Sequence, residues 1–255
     1  MSTTLAAIHL AWILGGAQFM PVAKPITVSA AVSLTDALTA VAEEYGRQGR
    51  GPVTFNFGAS NILSRQIANG APVDLFVSAD EAQMDVVAAA GLIKDGSRVD
   101  LLRNQLAFVV PSDRPRTFTG ARDIADPAFK RIAIGDPAAV PAGVYAKQFL
   151  EKEGLWAAVQ SRIVPSGSVR AALSAVESGA ADAAIVYRTD ARVALRATVA
   201  WTVSLAQGPR IVYPAAVIRT TTVAEEAKRF MDFMLGDPAA RIFERFGFTM
   251  ARRAP

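Results

Sequence analysis

The chain has 255 residues, 51% of them hydrophobic and 20% charged, which is enough to fill one or two globular cores. It contains no Cys and one His, His9; disulfide frameworks, thiol nucleophiles and Cys metal sites are excluded, and without His9 so are Ser-His-Asp triads and His-ligated zinc. The formal charge is +4, but Lys and Arg lie singly among Asp and Glu, the pattern of a solvated surface and not of a nucleic-acid patch.

Residues 1–23 hold no Lys, Arg, Asp or Glu. The run from Leu5 to Leu14 is apolar apart from His9 and is short for a bilayer span. Gly15-Gly16-Ala17 and then Pro21-Val22-Ala23 are small residues that suit cleavage after Ala17 or Ala23. The segment therefore reads as an export signal, although its n-region carries only the α-amino charge; a retained N-terminal helix is the alternative. With no Cys for lipid attachment, the exported product is expected free in the periplasm.

From residue 24 onward strands and helices alternate. Ile26–Ala31 is β-rich and leads to Ser33 and Asp36, spaced as a capping box, with Leu34, Leu38, Val41, Ala42 and Tyr45 at helical spacing up to Gly46. Val53–Phe57 alternates like a strand, Gly58-Ala59-Ser60-Asn61 follows, and a helix through Leu63 and Ile67 closes at Asn69-Gly70. Asp74–Val77 is a third strand, and Asp80 caps a helix over 81–90 that stops at Gly91. Strands over 106–110 and 132–136 come next. Pro141-Ala142-Gly143 then opens a helix carrying Tyr145 and Phe149, and Ser166-Gly167-Ser168-Val169 opens another. Residues 184–187 and 211–218 are further strands. Thr222 and Glu225 make a capping box for a helix ending at Gly236, and Asp237-Pro238 starts the last helix in the N-cap and N1 manner.

This alternation predicts an α/β fold with mostly parallel sheets. The strong β segments at 106–110 and 211–218 bracket the middle third, so two lobes are expected, with the chain crossing between them twice. In open α/β sheets ligands sit beyond the C-terminal ends of strands. Ser33, Ser60, Ala142 and the Gly167-Ser168-Val169 turn all occupy strand-to-helix junctions. Helix N-termini present unpaired N–H donors and partial positive charge, so each junction can meet an anion without Lys or Arg. Plain N-capping explains any one of them equally well. The residues make an anion site possible without selecting it.

Selection comes from a resemblance. The strings 30–38 (AAVSLTDAL), 70–80 (GAPVDLFVSAD), 135–147 (GDPAAVPAGVYAK), 185–187 (IVY) and 246–248 (FGF) resemble, in order and spacing, the periplasmic molybdate-binding proteins of ABC transporters, over essentially the whole chain after residue 24. The resemblance implies a type II periplasmic binding protein-like fold, each lobe a mostly parallel sheet flanked by helices, with two crossing strands as hinge. Lobe 1 is then 24–107 plus 214–255, and lobe 2 is 108–213. It also implies the ligand residues. Ser33 and Ser60 match the hydroxyl and N–H donors after the first two strands, Ala142 and Val169 match backbone N–H donors from the other lobe, and Tyr187 matches a phenol donor. Where the family often has a Ser run at the second site, this chain has Gly58-Ala59-Ser60-Asn61, and Asn61 alters the local hydrogen bonding available.

The implied function is capture of molybdate or tungstate and delivery to a membrane permease, by a monomer with no catalytic residue, cofactor, free metal ion or nucleic-acid partner. A carboxylate-using enzyme on the same fold and a cytoplasmic oxyanion sensor are the alternatives. Other conspicuous residues read as structure. Phe230, Met231, Phe233 and Met234 form a core stripe, Asp74 and Asp80 hold turns or caps, Arg170 is a surface residue, and Arg252 and Arg253 belong to a solvated tail.

Overall fold

The computed structural model describes residues 24–251. The expected signal segment and the tail with Arg252 and Arg253 lie outside the described residues. The first strands and helices are β1 (Ile26–Ala31), α1 (Thr35–Arg47), β2 (Val53–Gly58), α2 (Ser60–Ala68), β3 (Leu75–Val77), α3 (Glu81–Ala89) and β4 (Val99–Asn104). The middle of the chain supplies β5 (Leu106–Pro111), β6 (Ile132–Gly135), α4 (Pro141–Lys152), α5 (Trp156–Val159), β7 (Ile163–Ser166), α6 (Val169–Glu177), β8 (Ala183–Tyr187), α7 (Arg188–Arg192) and β9 (Ala197–Thr202). β10 (Ile211–Val217), α8 (Ala224–Leu235), α9 (Asp237–Arg245) and β11 (Thr249–Met250) complete it.

Two sheets organise these elements. The first has the order β11-β4-β10-β3-β1-β2 and the second β7-β6-β8-β5-β9. Parallel pairing is confined to β2-β1-β3 and β7-β6-β8, and every other pair is antiparallel. Both sheets are thus mixed, not mostly parallel as the alternation suggested. The reason is that β4 and β5 are almost one strand, interrupted only at Gln105, that leaves one sheet and enters the other without a helical crossover. The return passage runs through residues 203–210. β5 lies wholly in the second sheet and β10 wholly in the first, so the crossings are short segments and not the long strands themselves. They lie side by side: Gln105 Nε2 donates to the Val203 carbonyl at 2.9 Å, and Val203 N–H donates to the Leu106 carbonyl at 2.9 Å.

Both faces of the first sheet are covered, as the unbroken burial of β3 and β10 requires. Leu75 and Val77 point into the core shared with α1, α8 and α9, where Phe230, Met231, Phe233 and Met234 form the apolar stripe expected of them. Phe76 points the other way, into a smaller cluster with Leu63 and Ile67 of α2 and Met84 and Val87 of α3. β5 and β8 are likewise buried along their whole length.

Several helix starts differ from the sequence reading. α1 begins at Thr35 after a 3₁₀ turn over Val32–Leu34, and no Ser33–Asp36 capping box forms because the Ser33 hydroxyl is engaged by Tyr213. At α8 the N-cap is Val223, without a side-chain cap. Thr221 does the local work in place of Thr222: it accepts from Val223 N–H at 3.1 Å and donates to Asp74. Gly236 is the N-cap of α9, and Asp237 is already helical. Asp80 does cap α3, accepting from Gln83 N–H at 2.9 Å, and Ser168 caps α6 through Ala171 N–H at 3.1 Å. Asp74 holds a turn, accepting from Thr27 N–H at 2.7 Å.

Candidate functional site

Strand register brings the expected residues together. Ala31 and Gly58 are partners at the ends of the parallel pair β1–β2. Ser33 and Ser60 each lie two residues further on, so they emerge side by side. In the second sheet Gly135 and Ser166 are partners at the ends of β6 and β7, and α4 and α6 start just beyond. β8, parallel to β6, ends on Tyr187 at the same edge. One small cavity lies between these edges. Ser33, Ser60, Ala142, Val169 and Tyr187 all line it, with Gly58, Ala59, Ala79 and Pro141 among their neighbours. Among the described residues, none of the lining side chains is charged. Larger surface grooves beside Tyr45 and Arg50, and beside Ser97 and Lys228, lie elsewhere.

The helix N-termini leave donors free at this cavity. In α2 the first ladder bonds come from Ile62 and Leu63, both to the Ala59 carbonyl, so the N–H groups of Ser60 and Asn61 stand outside the ladder. Pro141 has no N–H, and Gly143 and Val144 both donate to the Val140 carbonyl, which makes Ala142 N–H the first free donor of α4. In α6, Ala171 and Ala172 donate to the side chain and carbonyl of Ser168, leaving the N–H groups of Val169 and Arg170. The close seat of α4 depends on two glycines. A Cβ on Gly143 would collide with the Gly135 carbonyl, and one on Gly135 would come within 2.6 Å of Val140. This accounts physically for the Gly135…Pro141-Ala142-Gly143 string.

The side-chain hydroxyls are oriented too. Ser60 Oγ accepts from Ala79 N–H at 2.9 Å, so its own proton is free for the cavity. Tyr187 is 1% exposed, and its Oη has no hydrogen-bond partner among the described residues. Burial holds its phenol well above the usual range, so it is present as the O–H donor. A buried hydroxyl with no partner is costly, on the order of 1–3 kcal/mol, and calls for a ligand. The Asn61 side-chain oxygen is also buried and unpartnered, the local consequence of Asn where the resembling family often has Ser.

Arg170 is not the simple surface residue that the sequence suggested. Its Nε donates to Asp190 at 2.5 Å and its Nη2 to Asp36 at 2.6 Å, tying α6 and α7 of one sheet to α1 of the other. Asp190 is fully buried, and burial pushes its carboxyl up to about 6 against the opposing pull of Arg170. Sequence reasoning missed this bridge because its partners lie 20 and 134 residues away.

Comparison with known proteins agrees with this architecture. Residues 26–249 match the family model described as bacterial extracellular solute-binding protein. The molybdate-binding protein ModA of Escherichia coli is 37% identical, with 88% of this chain and 89% of that protein covered. YvgL of Bacillus subtilis, whose name describes a substrate-binding lipoprotein of an ABC transporter, is 36% identical over 88% of this chain and 86% of its own length. The structure of the Azotobacter vinelandii periplasmic molybdate-binding protein superposes with a TM-score of 0.81 at 27% identity, covering 89% of this chain and all of that one. With the two-sheet fold, the cavity at the strand ends and a family match over nearly every described residue, the chain belongs to the bacterial extracellular solute-binding proteins.

Proposed function

We propose that this protein captures molybdate, or the similarly sized tungstate, and hands it to an ABC transporter permease. In this reading Ser33, Ser60, Ala142, Val169 and Tyr187 hold the oxyanion between the lobe built on the first sheet and the lobe built on the second, which part at Gln105 and within residues 203–210. The observation that carries the reading is the buried Tyr187 hydroxyl, without a partner among the described residues, at a cavity where both lobes present N–H and O–H donors. Hydrogen bonds to an anion are short and strong in such a dry site, and helix N-termini share the charge. The 37% identity to a molybdate-binding protein supports the choice of anion.

Size and protonation set the selectivity. A site spaced for long metal–oxygen bonds leaves sulfate's oxygens short of their donors, at about 1–3 kcal/mol per unmade bond. Hydrogen phosphate brings a proton that an all-donor site cannot accept. A carboxylate-using enzyme would need Asp or Glu at the cavity, and among the described residues the lining supplies neither. We place the mature protein in the periplasm, because residues 1–23 read as an export signal.

Calorimetric titration with molybdate, tungstate, sulfate and phosphate tests the proposal. Tight binding of the first two is expected; heat from sulfate or phosphate alone would overturn it.

A further inference from the structure

Ser33 differs from the other donors in being the last link of a buried polar chain. The chain starts at Asn104, the final residue of β4, beside the crossing at Gln105. Asn104 Oδ1 accepts from Gln105 N–H at 2.9 Å, which fixes the orientation of the amide. Its Nδ2 then donates twice, to Thr189 Oγ1 at 2.8 Å and to Tyr213 Oη at 3.1 Å. Tyr213 is fully buried, and its hydroxyl lies 3.0 Å from Ser33 Oγ. Either oxygen of that last pair could donate on distance alone. The upstream donor decides the direction: Tyr213 Oη already accepts from Asn104, and among the described residues the only acceptor left for its proton is Ser33 Oγ. Were Ser33 to donate instead, a fully buried phenol proton would have no acceptor among the described residues, which is costly. Ser33 Oγ is therefore an acceptor toward Tyr213, and its own proton is left for the cavity that it lines.

We infer that Asn104 and Tyr213 are positioning residues that hold Ser33 as a hydrogen-bond donor and so reserve the cavity for a fully deprotonated oxyanion. The inference rests on the oxyanion reading of the site. It assigns the rejection of protonated anions to two residues that do not line the cavity.

Asn104→Asp keeps the shape and reverses the polarity. A carboxylate there accepts from Gln105 N–H, Thr189 and Tyr213. The Tyr213 proton turns toward it, Ser33 must donate to Tyr213, and a lone pair faces the cavity. Tyr213→Phe removes the donor that fixes Ser33 and frees its hydroxyl to point either way.

The experiment is titration of the full-length protein and both variants with molybdate, and with phosphate by competition, at about pH 8. There both anions are dianions, so the added charge of Asn104→Asp weakens the two alike, and only the ligand's proton separates them. Molybdate affinity should fall about tenfold or more in each variant, the cost of one hydrogen bond unmade or opposed. The ratio of phosphate to molybdate affinity should rise about tenfold in Asn104→Asp and by a smaller factor in Tyr213→Phe. A merely structural role would lower both affinities together. If the unaltered protein binds molybdate and both variants keep its ratio, the inference is overturned alone. If the unaltered protein takes up no oxyanion, the solute reading falls and takes this inference with it. Either variant suffices, so misfolding of one leaves the other as the test.

Discussion

The two halves of the cavity are built on different principles. The β1–β2 edge contributes Ser33 and Ser60, whose hydroxyls are aimed by bonds received from Tyr213 and Ala79. The other edge contributes Ala142 and Val169, whose side chains have no polar atom and whose N–H groups are aimed by the helices they begin. Tyr187 is the exception there, a side-chain donor with no acceptor for its proton among the described residues. On the first side, chemistry is encoded in residue type. On the second it is encoded in backbone position, and residue type matters only as far as it moves the backbone.

That contrast predicts the largest effect at a residue with no functional group. Gly143→Ala should weaken molybdate binding by about 100-fold or more, because the added Cβ collides with the Gly135 carbonyl and displaces the N-terminus of α4 with its Ala142 donor. Stability should also fall by about 1–3 kcal/mol, as overpacking does. Calorimetry and denaturant unfolding measure the two. Undiminished affinity in this variant would break the claim that backbone placement governs this edge.

Tyr187→Phe sharpens the contrast, since affinity and stability should part company. Affinity should fall by roughly 10–100-fold for the loss of one charge-assisted bond. The ligand-free protein should be as stable as before, or more so, because the substitution removes a buried hydroxyl that has no partner among the described residues. Ser60→Ala should lose on both counts, since it strands Ala79 N–H. A ligand-free Tyr187→Phe melting well below the unaltered protein would show that the phenol has an internal role.

These differences mark what could be read in advance. The strand-to-helix junctions follow local patterns even where a helix start differs, and the strings that carry the family resemblance hold Ser33, Ser60, Ala142, Val169 and Tyr187, which line one cavity. The mixed sheets were hidden, because strand direction at β4–β5 depends on a single residue, Gln105, that continues the strand where alternation implies a reversal. The Asn104–Tyr213–Ser33 chain and the Arg170 bridge were hidden for another reason. Tyr213–Ser33 spans 180 residues and Arg170–Asp36 spans 134, and no short-range pattern foreshadows such contacts. The Ser33–Asp36 spacing even favoured a competing local bond that the long-range one displaced.

The Arg170 bridge gives a pH test of how the two halves are held. The Asp190 carboxyl is raised to about 6, so the folded protein binds that proton more tightly than the unfolded chain. The stability that this contributes is fully present below the ordinary carboxylate range and is lost as pH rises through about 6. Burial drives the shift, and the charge and hydrogen bond of Arg170 and the Tyr187 backbone bond oppose it. Asp190→Asn lacks this term. The stability of the unaltered protein relative to the variant should therefore fall by about 1–2 kcal/mol between about pH 4 and 7, followed by urea unfolding. A difference that is flat or rises over that range would mean that Arg170 outweighs burial.

The smallest effect belongs to Val169→Ala. Val169 opens α6 and is 4% exposed, and its link to the cavity is an N–H that alanine also carries. Truncating the side chain costs packing, about 1–2 kcal/mol of stability, but leaves Ser168 capping Ala171 and so leaves the helix start in place. Molybdate affinity should stay within about threefold, less than the cost of one hydrogen bond. Set beside Ser60→Ala by calorimetry, this near-silent variant divides the two constructions most cleanly. Two residues that are both buried at one cavity should differ by about tenfold or more, because one lends the ligand a side chain and the other lends it only the chain.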